Sequence, residues 1–197
     1  MAIRNSYYSK TEIANLGIKK CGRNVKISKK VSFYCAEKIS IGNNVRIDDF
    51  CILSGDISIG SYVHIAAYCG LFARHGIVMK DFSALSSRVS IYSVSDDYFG
   101  NSLTNPTVPD RYRELDAGKV VLEKHVIVGS GTIILPNTKI KTGSAIGALS
   151  LVKGDIPPWG IYNGNPVRFR AKRKSSEIIK LEKRLLAREA DKGIYDR

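Results

Sequence analysis

An apolar residue recurs every six positions along most of the chain: Ile27, Phe33, Ile41, Ile47, Leu53, Ile59, Ile65, Leu71, Met79, Leu85 and Ile91, then Leu122, Val128, Ile134, Ile140, Ile146 and Val152. A second column, four residues later, holds small or apolar side chains: Val45, Cys51, Ile57, Val63, Cys69, Ser83, Val89, Val126, Thr132, Ser144 and Ser150. Two inward positions in every six residues fit a strand of about four residues followed by a two-residue turn. Three such strands close a triangular coil, and successive coils stack roughly 4.8 Å apart. The predicted fold is an all-β solenoid, a parallel β-helix whose coils bury their inner faces only against one another.

The three faces are named A, B and C, with Ile59 on A, Ile65 on B and Leu71 on C. The beat slips between Phe33 and Ile41, between Leu71 and Met79, and between Ile91 and Leu122. All three slips fall at the corner from C to A, and the longest makes residues 93–119 a protruding arm. Insertions gathered on one edge of a solenoid commonly build its binding face. Residues 1–17 predict an amino-terminal helical segment ending at Gly17, and residues 18–156 the solenoid. The segment GDIPPWGIYNGNPVRFR is expected to leave the coils, because proline cannot continue a hydrogen-bonded ladder. Ser175 or Ser176 then caps a carboxy-terminal α-helix with an Ile178, Leu181 and Leu185 stripe, so that 157–197 form an exit segment and helix.

With its hexapeptide beat and the closing segment IKTGSAIGALSLVKGDIPPWGIYNGNP, the chain resembles the hexapeptide-repeat acyltransferases, in the branch of galactoside O-acetyltransferases and O-antigen or capsule sugar acetyltransferases. The resemblance covers roughly residues 18–173. It implies a left-handed coil, a homotrimer with active sites between prisms, and acetyl-CoA as donor to a sugar or nucleotide-sugar hydroxyl or amine in surface polysaccharide synthesis. It also implies Ile127, Ser130, Ala148, Lys153 and Arg168 as coenzyme-binding positions. The galactoside branch carries a histidine just after the strand at 89–92; the aligned residue here is Asp96.

Acyl transfer to a hydroxyl needs a general base, and histidine is the default at neutral pH. His64 lies between inward Val63 and Ile65, so it points outward in mid-strand on face B, in one column with Ala84, Ile127 and Ala145. We expect it to be the base, with Asp96 or Asp97 supplied from the arm. Those carboxylates alternatively bind a sugar amine or cap the arm's first turn. His75, in the insertion at the projecting corner, and Tyr98 of the arm are candidates for substrate contact, although packing of Tyr98, Phe99 and Tyr112 against the arm is favoured over stacking on a sugar. His125 reads as a tolerated turn residue, and Cys51 and Cys69 as small core fillers.

Composition adds bounds. Lys and Arg number 31 against 18 Asp and Glu, a net charge of +13 that favours anionic partners such as phosphate-bearing cofactors. No motif of a nucleic-acid reader appears among the scattered basic residues. The four cysteines show no disulfide or metal spacing. No stretch is apolar enough for a signal peptide or a membrane span, so a cytoplasmic protein without membrane insertion is expected. No resident metal is expected. The rival readings are a zinc enzyme of the carbonic anhydrase kind on the same scaffold, and a non-catalytic scaffold or glycan-binding module.

Overall fold

The six-residue beat becomes three faces of parallel strands wound into a solenoid of about seven turns. The computed structural model describes residues 6–195; residues 1–5 of the expected amino-terminal segment, and 196 and 197 of the exit segment, lie outside them. Face B shows the register most simply. Its strands Lys26–Ile27, Arg46–Ile47, His64–Ile65, Ala84–Leu85, Ile127–Val128, Ala145–Ile146 and Gly160–Asn163 pair in parallel, so that Ile47, Ile65, Leu85, Val128, Ile146 and Tyr162 form one vertical column. Faces A and C are built the same way, and two long strands, Ile52–Ile59 and Gly70–Met79, run around the corner from C to A.

Every side chain of the second column is buried, and so is every residue of the six-residue column except Phe33, which packs partly buried against the core. The polar members of the column are satisfied by carbonyls: Thr132 Oγ1 donates to Gly147 O at 3.1 Å and Ser144 Oγ to Pro157 O at 2.7 Å in the next coil, while Ser83 Oγ donates to Lys80 O at 2.7 Å and Ser150 Oγ to Gly147 O at 2.8 Å within their own. A buried hydroxyl without such a partner would cost roughly 1–3 kcal/mol. Cys51 and Cys69 lie in the same column and are buried.

The corner from A to B turns through one left-handed residue per coil: Asn24, Asn44, Tyr62, Phe82, His125 and Trp159, with φ of 53–61°. That conformation costs a residue with a Cβ on the order of 1–2 kcal/mol. Stacking along the edge offsets it. Ring centroids are 4.8 Å apart for Tyr62 and Phe82, 5.1 Å for Phe82 and His125, and 6.3 Å for His125 and Trp159. Gly143 stands at the same corner in the coil between His125 and Trp159; a Cβ there would lie 2.3 Å from the indole. Its absence lets Trp159 lie across that coil and reach His125.

All three breaks in the beat emerge at the corner from C to A. A 3₁₀ turn, Ala36–Lys38, fills the first, and a bulge inside Gly70–Met79 the second, where Gly55 pairs with Ala73 and Ile57 with Ile77. The arm departs after Tyr92 and rejoins at Val120. It carries its own antiparallel ladder between Val94–Asp96 and Leu115–Ala117, and a 3₁₀ turn at Asp110–Tyr112.

Two sequence expectations are corrected. The GDIPPWGIYNGNP segment does not leave the solenoid at once: Asp155–Ile156 and Gly160–Asn163 add a further layer, with Pro157 and Pro158 in the corner between them, where no ladder donor is needed. Only after the cis Asn165–Pro166 bond does the chain reverse, and Arg168–Lys172 pairs antiparallel with Gly160–Asn163. His125 is no ornament of a turn either. It is buried, stacked between Phe82 and Trp159, and its Nε2 lies 2.7 Å from Glu182 Oε2.

Both ends of the solenoid carry helices. Helix α1, Lys10–Ala14, has a capping box in which Ser9 and Glu12 satisfy each other's backbone amides. The Glu12 carboxyl is held at about 2, first by the hydrogen bond from Lys29 and then by the Ser9 amide. Helix α2, Ser176–Tyr195, begins with Ser175 O accepting from Ile179 N. It is moored by Glu182, which pairs with both Lys124 and His125, while Arg173 donates to the carbonyls of His125 and Gly143. Among the described residues no helix is long and apolar enough to cross a membrane.

Two predictions follow from this packing. Ile91→Ala opens a cavity inside a continuous column and should lower unfolding free energy by about 2–5 kcal/mol, read from the urea midpoint. Burial raises the Glu182 carboxyl, but the hydrogen bonds from Lys124 and His125 outweigh it and hold the group below the ordinary 4.5. A depressed folded-state value stabilises the docked helix above that pH and loses the contribution as pH falls through it. The protection factors of the α2 amides should therefore fall as pH drops below 4.5, and Glu182→Gln should remove that pH dependence.

Candidate active site

Outward positions of face B present His64 beside Arg46, its register partner one coil earlier. Asp48 ends the same coil as Arg46 and accepts from both: its Oδ2 lies 2.8 Å from His64 Nε2, and its Oδ1 receives Arg46 Nε at 2.6 Å and the Tyr7 hydroxyl at 3.3 Å. Burial raises the Asp48 carboxyl, but the bonds from His64 and Arg46 prevail and leave it below its ordinary value. The imidazole is thus oriented by a carboxylate through Nε2, with Nδ1 left for other work. Asp48 was not anticipated from sequence. Extending the hexapeptide register to the outward positions would have found it, since 46 and 64 are eighteen residues, one full coil, apart.

The arm makes a separate site. Between its root and the next coils lies a cleft of about 480 Å³ lined by Asp96, Asp97, Tyr98, Leu115, Asp116 and Lys153, with Leu135 and Pro136 as its apolar wall. Asn137 fixes the returning strand, its Nδ2 donating to Ala117 O at 3.1 Å and to Asp116 Oδ1 at 3.3 Å. Gly118 makes room for it, because a Cβ there would sit 1.7 Å from the Asn137 amide oxygen. On the opposite side, the Arg113 side chain is 5% exposed, pairs with Asp110, and lies 3.9 Å from Asp96 Oδ1. Lys153 Nζ donates to Asp116 Oδ2 at 2.8 Å, so it serves the cleft wall.

The two expected arm carboxylates have different surroundings. Asp97 accepts from the amides of Phe99 at 2.7 Å and Ser102 at 2.9 Å; the Phe99 bond is the chief cause holding its carboxyl below the ordinary value. Asp97 is therefore occupied in shaping the loop. Among the described residues the Asp96 carboxylate has only the distant Arg113, and it lines the cleft. Tyr98 and Phe99 are 90% and 94% exposed, so the expected packing is not found for them, while Tyr112 is half-buried with the Arg111 guanidinium 4.8 Å over its ring. The arm is held by its ladder, by Arg113, and by Asn137 and Lys153, which leaves the Tyr98 and Phe99 rings exposed at its tip.

Other candidates scatter. His75 stands exposed at the root of the arm, its amide donating to Ser93 Oγ at 2.9 Å. Ile127 points outward on face B, and Ser130 and Ala148 are exposed at the B to C corner of successive coils. Arg168 opens the final strand. Within one chain His64 and Asp96 do not meet: one lies mid-face on B and the other at the corner from C to A. His64, His75 and His125 likewise sit on different faces or corners.

Residues 38–73 match the model of the bacterial transferase hexapeptide family, described as six repeats. The dTDP-4-amino-4,6-dideoxy-D-glucose acyltransferase of Escherichia coli is 44% identical over 180 residues, 90% of this chain and 93% of that protein. The chain belongs to the hexapeptide-repeat acyltransferases. Its solenoid is the left-handed β-helix of that family. AntD, an N-acyltransferase from Bacillus cereus solved with dTDP and 3-hydroxybutyryl-CoA, is 50% identical with a TM-score of 0.92, covering 94% of this chain and 99% of its own. A serine-to-alanine variant of AntD was solved with dTDP-4-amino-4,6-dideoxyglucose and coenzyme A, at a TM-score of 0.91, 50% identity, and coverage of 93% and 98%. A putative lipopolysaccharide biosynthesis O-acetyl transferase, WbbJ of Escherichia coli, is 28% identical over 68% of each chain.

The loop-shaping role of Asp97 is open to test. Asp97→Ala removes two amide acceptors and should speed hydrogen exchange at residues 99–102 by at least about tenfold, the effect of losing roughly 1–3 kcal/mol of hydrogen bonding, without moving the urea midpoint of the solenoid.

Proposed function

We propose that this protein transfers a short acyl group from acyl-CoA to the amine of a dTDP-4-amino-4,6-dideoxy sugar, within the synthesis of a surface polysaccharide. The observation that carries this reading is the similarity, from end to end, to an acyltransferase for that nucleotide sugar and to AntD. The acidic cleft beneath the arm supports it, because a carboxylate beside an apolar wall suits an amine better than a neutral hydroxyl.

The amine nitrogen attacks the thioester carbonyl, the tetrahedral intermediate expels the coenzyme thiolate as the C–S bond breaks, and the amine gives up its proton. In this reading Asp96 accepts that proton and orients the amine, an easier task than activating a hydroxyl. His64, held by Asp48, lines the donor side of the cleft. Because His64 and Asp96 lie on different sides of one prism, a homotrimer completes the site by setting the arm of one copy against face B of the next. Small outward side chains at Ala84 and Ala145 on that face leave room for the pantetheine arm beside Ile127, with Ser130 and Ala148 along its path. Arg168 supplies a cationic group for the coenzyme phosphates, while Lys153, expected beside it, is held on Asp116 in the wall of the acceptor cleft. Tyr98 and His75 border the sugar. A cytoplasmic location follows from the substrates, acyl-CoA and a nucleotide sugar.

Thiol release should be measured with acetyl-CoA and 3-hydroxybutyryl-CoA against dTDP-4-amino-4,6-dideoxyglucose and dTDP-glucose. We expect turnover with the amino sugar only. Asp96→Asn should lower kcat by about 10² to 10³-fold, the effect of removing one proton-transfer group, while His64→Ala costs less than about tenfold. The reverse order would make His64 the base, and equal rates with dTDP-glucose would overturn the amine reading.

A further inference from the structure

The first coil ends the solenoid in a hollow. Among the described residues its strand Lys20–Cys21 pairs with a neighbour on one side only, while Lys26–Ile27 is met on its outer side by Tyr8 N, which donates to Ile27 O at 2.9 Å; together with α1 these strands line a cleft of about 660 Å³. Ile13, Ile18 and Val25 give it an apolar lining, as the uncovered end of a hydrophobic column must. Five cations also line it: Lys10, Lys19, Lys20, Arg23 and Lys26.

None of these five takes part in an ion pair among the described residues. The acids nearby are already engaged. Glu12 binds Lys29 at 2.7 Å, Asp49 binds Lys30 at 2.9 Å, and Asp48 is shared by Arg46 and His64. That leaves Glu37, on the 3₁₀ turn next to Lys38. Residues 6–49 hold nine Lys and Arg against four Asp and Glu, so the surplus of five sits at this end of the molecule.

We propose that this blunt end docks on an anionic membrane surface, its cations meeting phospholipid headgroups and its apolar hollow receiving the adjoining glycerol and acyl edge, with no segment crossing the bilayer. The chemistry excludes the nearest rivals. A second copy presenting the same end would bring like charges together. Nucleic acid would satisfy the cations but leave the apolar hollow empty. Lysines at a sheet edge also discourage end-to-end stacking, but that role requires neither the hollow nor a partner.

The test uses the full chain and vesicles of phosphatidylcholine with and without phosphatidylglycerol, in a sedimentation assay. Binding is expected only to the phosphatidylglycerol vesicles and should fade as salt is raised. Lys20→Gln with Lys26→Gln should weaken it by roughly tenfold or more, each cation near an anionic surface being worth about 1 kcal/mol, with turnover in free solution unchanged. Inorganic tripolyphosphate at equal phosphate concentration should not displace the protein, because it offers nothing to the apolar hollow. The proposal fails if neutral vesicles bind equally, if the double variant binds as tightly as the parent, or if tripolyphosphate or duplex DNA competes fully. It fails too if the parent ignores both vesicles and the variant merely polymerises.

Discussion

Everything in this molecule is subordinate to the backbone ladder between coils. Each coil hydrogen-bonds to the next at a fixed spacing of roughly 4.8 Å on all three faces at once, so no face can lengthen by a residue without breaking the other two. The inner columns obey the same spacing. Ile47, Ile65, Leu85, Val128 and Ile146 repeat because each fills the layer that its neighbours leave, and Cys51, Cys69, Thr132 and Ser150 share a column of small side chains.

A scaffold so constrained has few places to put chemistry. The faces offer outward side chains at fixed intervals, which is how Arg46 and His64 come to flank one carboxylate, Asp48. Variation is confined to the corner from C to A, where a 3₁₀ turn, a bulge and the arm are accommodated outside the ladder. The arm is then fastened back by side chains, through Asn137 on the Ala117 carbonyl and Lys153 on Asp116. Its aromatic tip is left exposed, and the cleft it encloses is acidic, the two features that an amine-bearing sugar would use.

The ends of the column face a different problem, since the last coil at each end has an inner face with no neighbour. They are solved unequally. At the carboxy-terminal end the chain turns back as a hairpin strand on the last coil, and α2 is moored beside the corner from A to B by Glu182 on Lys124 and His125 and by Arg173 on two corner carbonyls. At the amino-terminal end the five-residue α1 covers less, and cations surround what remains.

The solenoid, its three faces, the corner that carries the insertions and both terminal helices were legible in the chain, because strand period, turn spacing and capping residues are local properties that repeat. His64 could be placed outward on face B for the same reason. What the sequence alone did not reveal depends on contacts between residues far apart in it. Pro157 and Pro158 were read as ending the ladder, yet they occupy a corner and the coil goes on past them. His125 looked like a turn residue, but the helix 57 positions later brings Glu182 to its ring. The distinction between Asp96 and Asp97 arose only when the loop folded back and its amides claimed one carboxylate and spared the other. Periodicity determined where the backbone runs; tertiary structure decided which side chains were already satisfied and which remained free to act.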